Sequence, residues 1–249
     1  MLTTKRHTII IQLLKEKQTI TIQEAATATG ASISTIRRDF TELEKKQELQ
    51  RIHGGAILPE QKFQEYTVTE RSSRYLEEKL QIAEKAASLI QHGDCIYLDA
   101  GTTTMKMIPH LQGKDIVVVT NGLTHIDALI EHGITAYMTG GRIKAKTSAL
   151  IGPPAVQMLQ NFHFDKCFLG VNGFSIEAGY TTPDPEEALI KRTVQQLSNI
   201  SYVLADHSKF RAASFAKVSE LKNAVLITGG LPEEDESALQ EHTEIRRIY

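Results

Sequence analysis

Short apolar runs alternate with amphipathic stretches from about residue 75 to the end of the sequence. The apolar runs include CIYLD, DIVVVT, KCFLGVNG and SYVLAD, and a helical pattern at 75–91 precedes the first of them. Apolar runs bounded by glycine and turn residues are typical of buried strands, and strands that alternate with helices indicate βαβ units. Residues 75–249 are therefore predicted to form an α/β domain around a largely parallel sheet.

Polar, glycine-containing segments follow these strands where each strand ends. In such sheets, ligands bind at the carboxyl ends of the strands. Glycines allow close approach of the backbone, helix N-termini and basic side chains favour an anion, and carboxylates and amides suit sugar hydroxyls. The pattern predicts a site for a phosphorylated sugar, whose phosphate would be held by Lys209 and the helix start at Thr102–Thr104. The candidate residues are Asp99, Gly101, Thr102, Thr103, Thr104, Thr120, Asn121, Gly140, Gly141, Arg142, Asn172, Gly173, Glu187, Asp206 and Lys209.

Each of these segments has an ordinary structural explanation when it is taken alone. AGTTT equally suits a capped helix start, Gly140-Gly141 suits a turn, and Lys209 suits a surface position. Glu187, behind Asp184-Pro185, fits a capping box. The prediction of a binding site depends on their joint occurrence at successive strand ends.

The first 58 residues show a different pattern, of three short helices separated by tight turns. Gly30 suits the end of the second helix, and Ser32 suits the N-cap of a third helix that extends to about Lys46. Helices joined in this way are typical of a helix-turn-helix. The runs LQRI and IL around HGGA predict a hairpin, which would complete an α+β winged helix-turn-helix.

The third helix has one apolar face and one polar, basic face. A helical wheel groups Ile33, Ile36, Phe40 and Leu43 on the core side. The opposite face suits the major groove of double-stranded DNA, although a solvated face is the ordinary alternative. The hairpin favours DNA binding, because it brings basic side chains towards phosphates. The candidate DNA-binding residues are Ser34, Thr35, Arg37, Arg38, Thr41, Arg51 and His53.

Charge and composition agree with two domains. Residues 1–60 carry nine Lys and Arg against seven Asp and Glu, whereas the rest carry 19 against 23, a mild asymmetry compatible with DNA contact by the first domain. Residues 59–74 combine a proline, mixed charge and little periodicity, which predicts a linker.

The two cysteines and the hydropathy place further limits on function. Cys95 and Cys167 each lie in an apolar run, so both thiols are predicted to be buried and reduced. The sequence has no metal-ligand spacing, and neither a metal nor a cofactor is predicted. The apolar stretch near the N-terminus is too short and interrupted for a signal peptide or membrane span, so the expected location is the cytoplasm.

The stretch TIRRDFTELEKKQELQRIHGGA closely resembles the N-terminal signature of the DeoR family of bacterial transcription regulators. LDAGTTT, VVTN, FLGVNG and ADHSK are similar to the family's C-terminal sensor domain, so the resemblance covers nearly the whole chain. It implies a ribose-5-phosphate-isomerase-like, Rossmann-type sensor that binds a sugar phosphate and so controls affinity for operator DNA. TTPDPEEALIKR and SFAKV look most like repressors of fructose uptake, which implies fructose 1-phosphate or a close relative as effector.

Two other functions are compatible with the same pattern. Relatives of this fold isomerise or deaminate sugar phosphates, but the chain lacks the isomerase's run of glycines, and a rough alignment places Arg192 near the position of the catalytic carboxylate. An enzyme is therefore not expected. The other alternative is a DNA-binding domain fused to a ligand-free dimerisation domain. One winged helix reads few base pairs, so we expect a homo-oligomer, a dimer or tetramer, assembled through the C-terminal domain.

Overall fold

The computed structural model describes residues 2–17, 19–46, 48–52, 54–57 and 67–248. The chain divides into two compact units, Met1–Gln61 and Lys62–Tyr249, and each encloses a hydrophobic core of its own. No helix within the described ranges is long and apolar enough to cross a lipid bilayer.

The first unit is a winged helix-turn-helix, as its sequence predicts. Its elements are α1 (Thr3–Lys17), β1 (Thr19–Thr21), α2 (Ile22–Thr29), α3 (Ile33–Lys45), β2 (Gln50–Ile52) and β3 (Gly55–Ile57). Thr21 caps α2 through a reciprocal pair of hydrogen bonds with Glu24. Gly30 ends α2 in the left-handed region at a φ of 65°, and Ser32 begins α3 by accepting a hydrogen bond from the Thr35 N–H at 3.3 Å.

The three strands form an antiparallel sheet in the order β1, β3, β2, which ties the wing hairpin to the strand before α2. Gly54 turns the hairpin at a φ of 82°. Gly55 lies so close to β1 that a Cβ atom there would be 2.2 Å from the Ile20 carbonyl oxygen. The core of this unit is formed by Ile10, Leu14, Ile20, Ala25, Ile36, Phe40, Leu43, Leu49 and Ala56.

The second unit is an α/β domain, which confirms the fold predicted for it. Its helices are α4 (Val68–Ser73), α5 (Leu76–Ser88), α6 (Thr102–Met105), α7 (Ile126–Glu131), α8 (Pro153–Leu159), α9 (Pro185–Gln196) and α10 (Glu233–Gln240). Its strands are β4 (Cys95–Leu98), β5 (Val117–Thr120), β6 (Thr135–Met138), β7 (Arg142–Lys144), β8 (Ala149–Ile151), β9 (Phe164–Gly170), β10 (Gly173–Ser175), β11 (Gly179–Thr182), β12 (Ser198–Leu204), β13 (Ala216–Ser219), β14 (Val225–Thr228) and β15 (Ile245–Arg247). Short 3-10 helices occur at Ile108–Leu111, Leu123–His125, His207–Lys209 and Leu221–Asn223.

Seven strands of this unit form one parallel sheet in the order β15, β14, β12, β9, β4, β5, β6. Successive side chains of a strand point to opposite faces. Tyr97 and Leu169 accordingly belong to one hydrophobic cluster, and their neighbours Leu98 and Phe168 belong to another. Helix α9 contributes to the first cluster and α5 to the second, so both faces are covered, as is typical of a parallel sheet.

The order of the strands reverses between β4 and β9. The chain proceeds from β4 through β5 to β6 at one edge, and then returns to β9 and continues through β12 and β14 to the other edge. Connections that leave adjacent strands in opposite directions open a crevice at the carboxyl ends of those strands. The fold therefore places a binding crevice at the ends of β4 and β9.

Three details of the structure differ from the sequence predictions. Ile33 is 42% exposed, because it is the first residue of α3 and precedes the part of the helix that packs on the core. Cys95 is exposed, whereas Cys167 is buried as predicted. Within the predicted linker 59–74, residues 59–66 lie outside the described ranges, but 68–73 form α4, which begins with a capping box between Thr67 and Glu70.

Candidate DNA-binding surface and ligand cavity

The face of α3 that points away from the core carries most of the predicted DNA-binding residues. Ser34, Arg37 and Arg38 are exposed, and Thr35 and Thr41 are partly exposed beside them. Neither arginine side chain has a hydrogen bond or ion pair with another residue in the described ranges. Two guanidinium groups on one exposed helix face can donate to base edges or phosphates in a major groove.

Asp39, the residue after the two arginines, points the opposite way and anchors α3 to α1. It is 2% exposed, Arg6 donates to its two oxygens at 2.5 and 2.8 Å, and His7 Nε2 lies 3.1 Å from Oδ1. Burial raises the pKa of Asp39, but the hydrogen bonds and charges of Arg6 and His7 outweigh burial, and the net effect is a lowered pKa. The ionised carboxylate therefore fixes the orientation of the basic face.

The same region contains three potential metal ligands. The donor atoms of His7, Asp39 and Glu42 all lie within 4.8 Å of one another. However, Arg6 already donates to both oxygens of Asp39, and its positive charge opposes a cation at this position. The arrangement is that of a buried ion pair.

The wing contributes Arg51, which lies against α3. Its Nη1 donates to Thr41 Oγ1 at 3.0 Å, and its backbone N–H donates to Glu44 Oε1 at 3.0 Å. Arg51 thus adds its charge to the edge of the exposed face of α3. The other predicted wing residue, His53, lies outside the described residues.

In the second unit, a cavity lies at the carboxyl ends of the central strands, where the strand order reverses. Its wall is built from the segments after β4, β5, β9 and β12, with side chains from α4, α5 and α9. The structure thus brings together predicted residues from four separate strand ends. The predicted ligand residues in this wall are Asp99, Gly101, Thr102, Thr103, Asn121, Asn172, Glu187, Asp206 and Lys209.

Other predicted ligand residues lie outside this wall. Thr104 is completely buried, donates to the Asp99 carbonyl oxygen at 2.6 Å and lies 3.2 Å from His125 Nε2. Burial lowers the pKa of His125 to about 4, so the imidazole beneath the loop is neutral. Thr104 thus supports the backbone of the cavity instead of facing a ligand. The predicted residues that do not line the cavity are Thr104, Thr120, Gly140, Gly141, Arg142 and Gly173.

A buried ion pair in the wall joins Asp99 to Lys191. Lys191 Nζ donates to Asp99 Oδ2, which also accepts from the Gly170 N–H at 3.0 Å, and the two side chains are only 6% and 4% exposed. Arg192, which the rough alignment places near the isomerase's catalytic carboxylate, does not line the cavity; it donates to the Lys217 carbonyl oxygen, and its neighbour Lys191 lines the cavity instead. Successive helix residues differ in direction by about 100°, so a shift of one residue exchanges a cavity position for an outer one.

Glu187 is buried in the same wall and is held by the β7–β8 hairpin. Its Oε1 accepts hydrogen bonds from Lys144 Nζ at 3.1 Å and from Thr147 Oγ1 at 2.7 Å. Burial raises the pKa of Glu187, but Lys191, Lys144 and Thr147 together lower it below its ordinary value. The carboxylate is therefore ionised and can accept a hydrogen bond from a sugar hydroxyl.

Asn121 mainly holds the loop after β4. Its Oδ1 accepts from the Tyr97 hydroxyl at 2.8 Å and from the Ala100 N–H at 3.0 Å, and its Nδ2 donates to the Leu150 carbonyl oxygen at 3.1 Å. The side-chain amide is thus largely satisfied by protein groups. One N–H of Nδ2 remains for a ligand.

The sequence prediction missed three cations in the wall, Arg71, Lys79 and Lys191. They come from helices, whereas all the predicted ligand residues except Glu187 were chosen at the ends of strands. A usable signal was present in α5, where Lys79 shares the buried stripe with Ile82 and Ala83. A lysine at a core position of an amphipathic helix is rare unless it has a partner, and this position therefore indicates a polar site.

Comparison with known proteins agrees with this two-unit arrangement. Residues 6–62 match the DeoR-like helix-turn-helix domain, and residues 74–230 match the DeoR C terminal sensor domain. The structure resembles ribose 5-phosphate isomerase A from Methanocaldococcus jannaschii at a TM-score of 0.40 and 17% identity, over 53% of each chain.

Three sequence relatives cover most or all of the chain. The uncharacterized HTH-type transcriptional regulator FruR of Bacillus subtilis (strain 168) is 47% identical over 100% of this chain and 99% of its own length. The HTH-type transcriptional repressor GlcR of the same organism is 38% identical, over 92% and 89%. The HTH-type transcriptional regulator GolR of Listeria innocua is 34% identical, over 90% and 89%. These relatives are named as regulators and repressors, not as enzymes. The chain belongs to the DeoR family and is a DNA-binding transcriptional regulator.

Proposed function

We propose that the chain represses an operon for sugar uptake or catabolism, and that a phosphorylated sugar bound in the cavity controls its affinity for operator DNA. The observation that carries this proposal is the mixed wall of the cavity. Asp99 and Glu187 offer oxygens to sugar hydroxyls, and Arg71, Lys79 and Lys209 offer positive charge to a phosphate. A domain that served only for dimerisation would not require such a wall.

Fructose 1-phosphate is the first effector to test. The segments TTPDPEEALIKR and SFAKV resemble those of fructose-uptake regulators. The first segment, residues 181–192, contains the first two turns of helix α9, which supply Glu187 and Lys191 to the cavity, so this resemblance includes the proposed site itself.

In the proposed mode of DNA binding, α3 enters the major groove and the wing lies along the backbone. Arg38 and Thr35 would face bases, and Arg37, Arg51 and His53 would face phosphates, with Ser34 and Thr41 on the same face.

We infer that the protein acts in the cytoplasm as a homo-oligomer, a dimer or tetramer assembled through the second unit. An oligomer is inferred because symmetric half-sites require at least two winged helices. Sedimentation at micromolar concentration tests this inference, and a monomer would contradict it.

A thermal-shift screen of phosphorylated hexoses and pentoses, each paired with its unphosphorylated sugar, tests the effector. We expect one class of sugar phosphate to raise the melting temperature and to change operator affinity, while the matching free sugar does neither. A free sugar that works as well as its phosphate would contradict the anion site. If no sugar phosphate has an effect, the ligand-free dimerisation domain becomes the better explanation.

A further inference from the structure

We propose that two copies of this chain assemble through the outer edge of β6, with the two β6 strands paired antiparallel across a two-fold axis at Tyr137. This inference rests on the homo-oligomer inferred above and deepens it by assigning the surface. Strand β6 (Thr135–Met138) is the last strand of the seven-stranded sheet, and no other strand within the described ranges pairs with its outer side. Its outward backbone groups can therefore bind a further strand.

The two edges of this sheet differ in charge. Strand β15, at the opposite edge, contains Arg246 and Arg247, which form ion pairs with Glu244 and Glu236 at 2.6 and 2.5 Å. Charged side chains on an edge strand hinder its pairing with another chain. Strand β6 has the sequence TAYM and contains no charged residue. The β15 edge is thus protected against a further strand, whereas the β6 edge is suited to one.

Apolar side chains on both faces of β6 are exposed. The ring of Tyr137 lies 6.0 Å from that of Phe162, yet Tyr137 remains 50% exposed. On the other face Ala136 is exposed, and Ile130 of α7, a helix that contacts β6, is 71% exposed. Parallel strands are ordinarily covered on both faces, and grouped apolar side chains at a surface mark a site of interaction. A second copy at this edge would cover the group.

The direction of the backbone groups selects the register of the pair. The Thr139 N–H donates to the Thr120 carbonyl oxygen, at the end of β5, at 3.0 Å. Because alternate residues of a strand direct their N–H and C=O groups to the same side, Tyr137 also faces β5, while Ala136 and Met138 face outwards. With the axis at Tyr137, Ala136 of each copy exchanges both hydrogen bonds with Met138 of the other. The two Tyr137 residues then form the intervening pair without hydrogen bonds, in which side chains lie close together.

Charge complementarity favours the antiparallel direction. Glu131 ends α7 shortly before β6, Arg142 begins β7 shortly after it, and both side chains are exposed. Strands that run in opposite directions bring the Glu131 end of each copy to the Arg142 end of the other, where opposite charges attract. A strand that pairs with its own copy in this way also generates the closed two-fold symmetry that matches a symmetric operator.

Sedimentation velocity of the full chain at micromolar concentration tests the surface. Tyr137→Lys removes an aromatic pair and places two ammonium groups opposite each other across the axis, so the oligomer should fall to half its mass, with a dissociation constant raised by about tenfold or more. Phe215→Lys is the matched control, because it makes the same kind of change at an aromatic side chain that is 66% exposed before β13. Its mass should equal that of the parent. Circular dichroism of both variants checks that the fold is retained.

Oxidative cross-linking tests the register, in a Cys95→Ser background that removes the exposed native thiol. Tyr137→Cys should form a disulfide between two copies, since the Cα atoms of such a pair lie about 4.5 Å apart, within the range of a disulfide. Thr135→Cys should not, because its two copies would lie roughly 14 Å apart along the strands.

A folded Tyr137→Lys protein with the parent's mass would overturn this surface alone, and so would an oligomeric Tyr137→Cys protein that fails to cross-link. If Tyr137→Lys does not fold, the cross-link decides. A monomeric parent would overturn both this inference and the inferred oligomer. Calorimetry with fructose 1-phosphate separates these outcomes from failure of the proposed effector, because Tyr137 does not line the cavity and its substitution should leave sugar-phosphate binding in place.

Discussion

Arg38 and Asp39 are neighbours in the sequence but lie on opposite sides of α3. Asp39 is buried against Arg6 of α1, whereas Arg38 is exposed. One helix can therefore pack on the core and still present a donor outwards, because its orientation is fixed by an ion pair on the inner side. This division explains how two adjacent arginines can occupy an amphipathic helix.

Arg38→Ala should weaken binding to the specific operator by about 1–3 kcal/mol and reduce discrimination between bases, since a direct base contact is lost. Arg51→Ala, in which a predicted phosphate contact is removed instead, should weaken binding to all DNA sequences alike. It should also reduce the slope of log affinity against log salt concentration by about one. Fluorescence anisotropy with operator and scrambled DNA at several salt concentrations measures both effects. Operator affinity equal to the parent's in Arg38→Ala would show that another face of the unit recognises DNA.

Lys79 should make the affinity for a sugar phosphate depend on pH. Its pKa is about 8 in the unliganded protein, and a bound phosphate would raise it towards the ordinary value of 10.5. Below pH 8 the ammonium is present in both states and contributes no pH dependence. As the pH rises above 8, Lys79 loses its proton in the unliganded protein, and the affinity for the sugar phosphate should fall. Lys79 alone accounts for a fall of at most about tenfold per pH unit.

Calorimetry from pH 7 to 9.5 measures this effect, and Lys79→Arg is the informative variant. Arginine keeps its charge throughout the range, so the fall in affinity should become shallower; the part that remains would come from Lys209, whose pKa is lowered mainly by burial. An unchanged slope in Lys79→Arg would show that Lys79 does not face the ligand.

At the scale of elements, most helices and the central strands can be predicted from their strong periodicity, whereas the short elements cannot. The β7–β8 hairpin has strands of three residues each, and its position depends on tertiary contacts such as the one between Lys144 and Glu187. Helix α4 is six residues long and polar, so it has no apolar period to detect. Since α4 supplies Arg71, missing this helix also meant missing part of the candidate site.

The wing depends on close packing between β3 and β1, which Gly55→Ala should disrupt. The new Cβ would be 2.2 Å from the Ile20 carbonyl oxygen, so the strands must separate, and we expect a loss of about 1–3 kcal/mol of unfolding free energy. Gly140→Ala is the control, because its Cβ would meet nothing within 4 Å; we expect a change below about 0.5 kcal/mol. Urea unfolding measures both variants, and equal stabilities would contradict the proposed packing role of Gly55.

At the scale of the whole molecule, a regulator needs its DNA-binding unit and its sensor unit to influence each other. A ligand can change DNA affinity only if it binds two arrangements of the oligomer with different affinities. A tenfold change in operator affinity corresponds to about 1.4 kcal/mol of coupling free energy. By reciprocity, operator DNA must then change the affinity for the sugar phosphate by the same factor.

Lys209→Ala tests this coupling through a residue of the second unit that lines the cavity. The variant should lose the response of operator binding to the sugar phosphate, while operator affinity without ligand stays near that of the parent, because only the proposed contact with the phosphate would be removed. Operator titrations with and without sugar phosphate, and the reverse titrations, measure both sides of the linkage. If Lys209→Ala abolishes operator binding outright, the lysine is structural and the phosphate binds elsewhere. If the two coupling factors differ in the parent, the ligand and the operator do not act on one shared equilibrium.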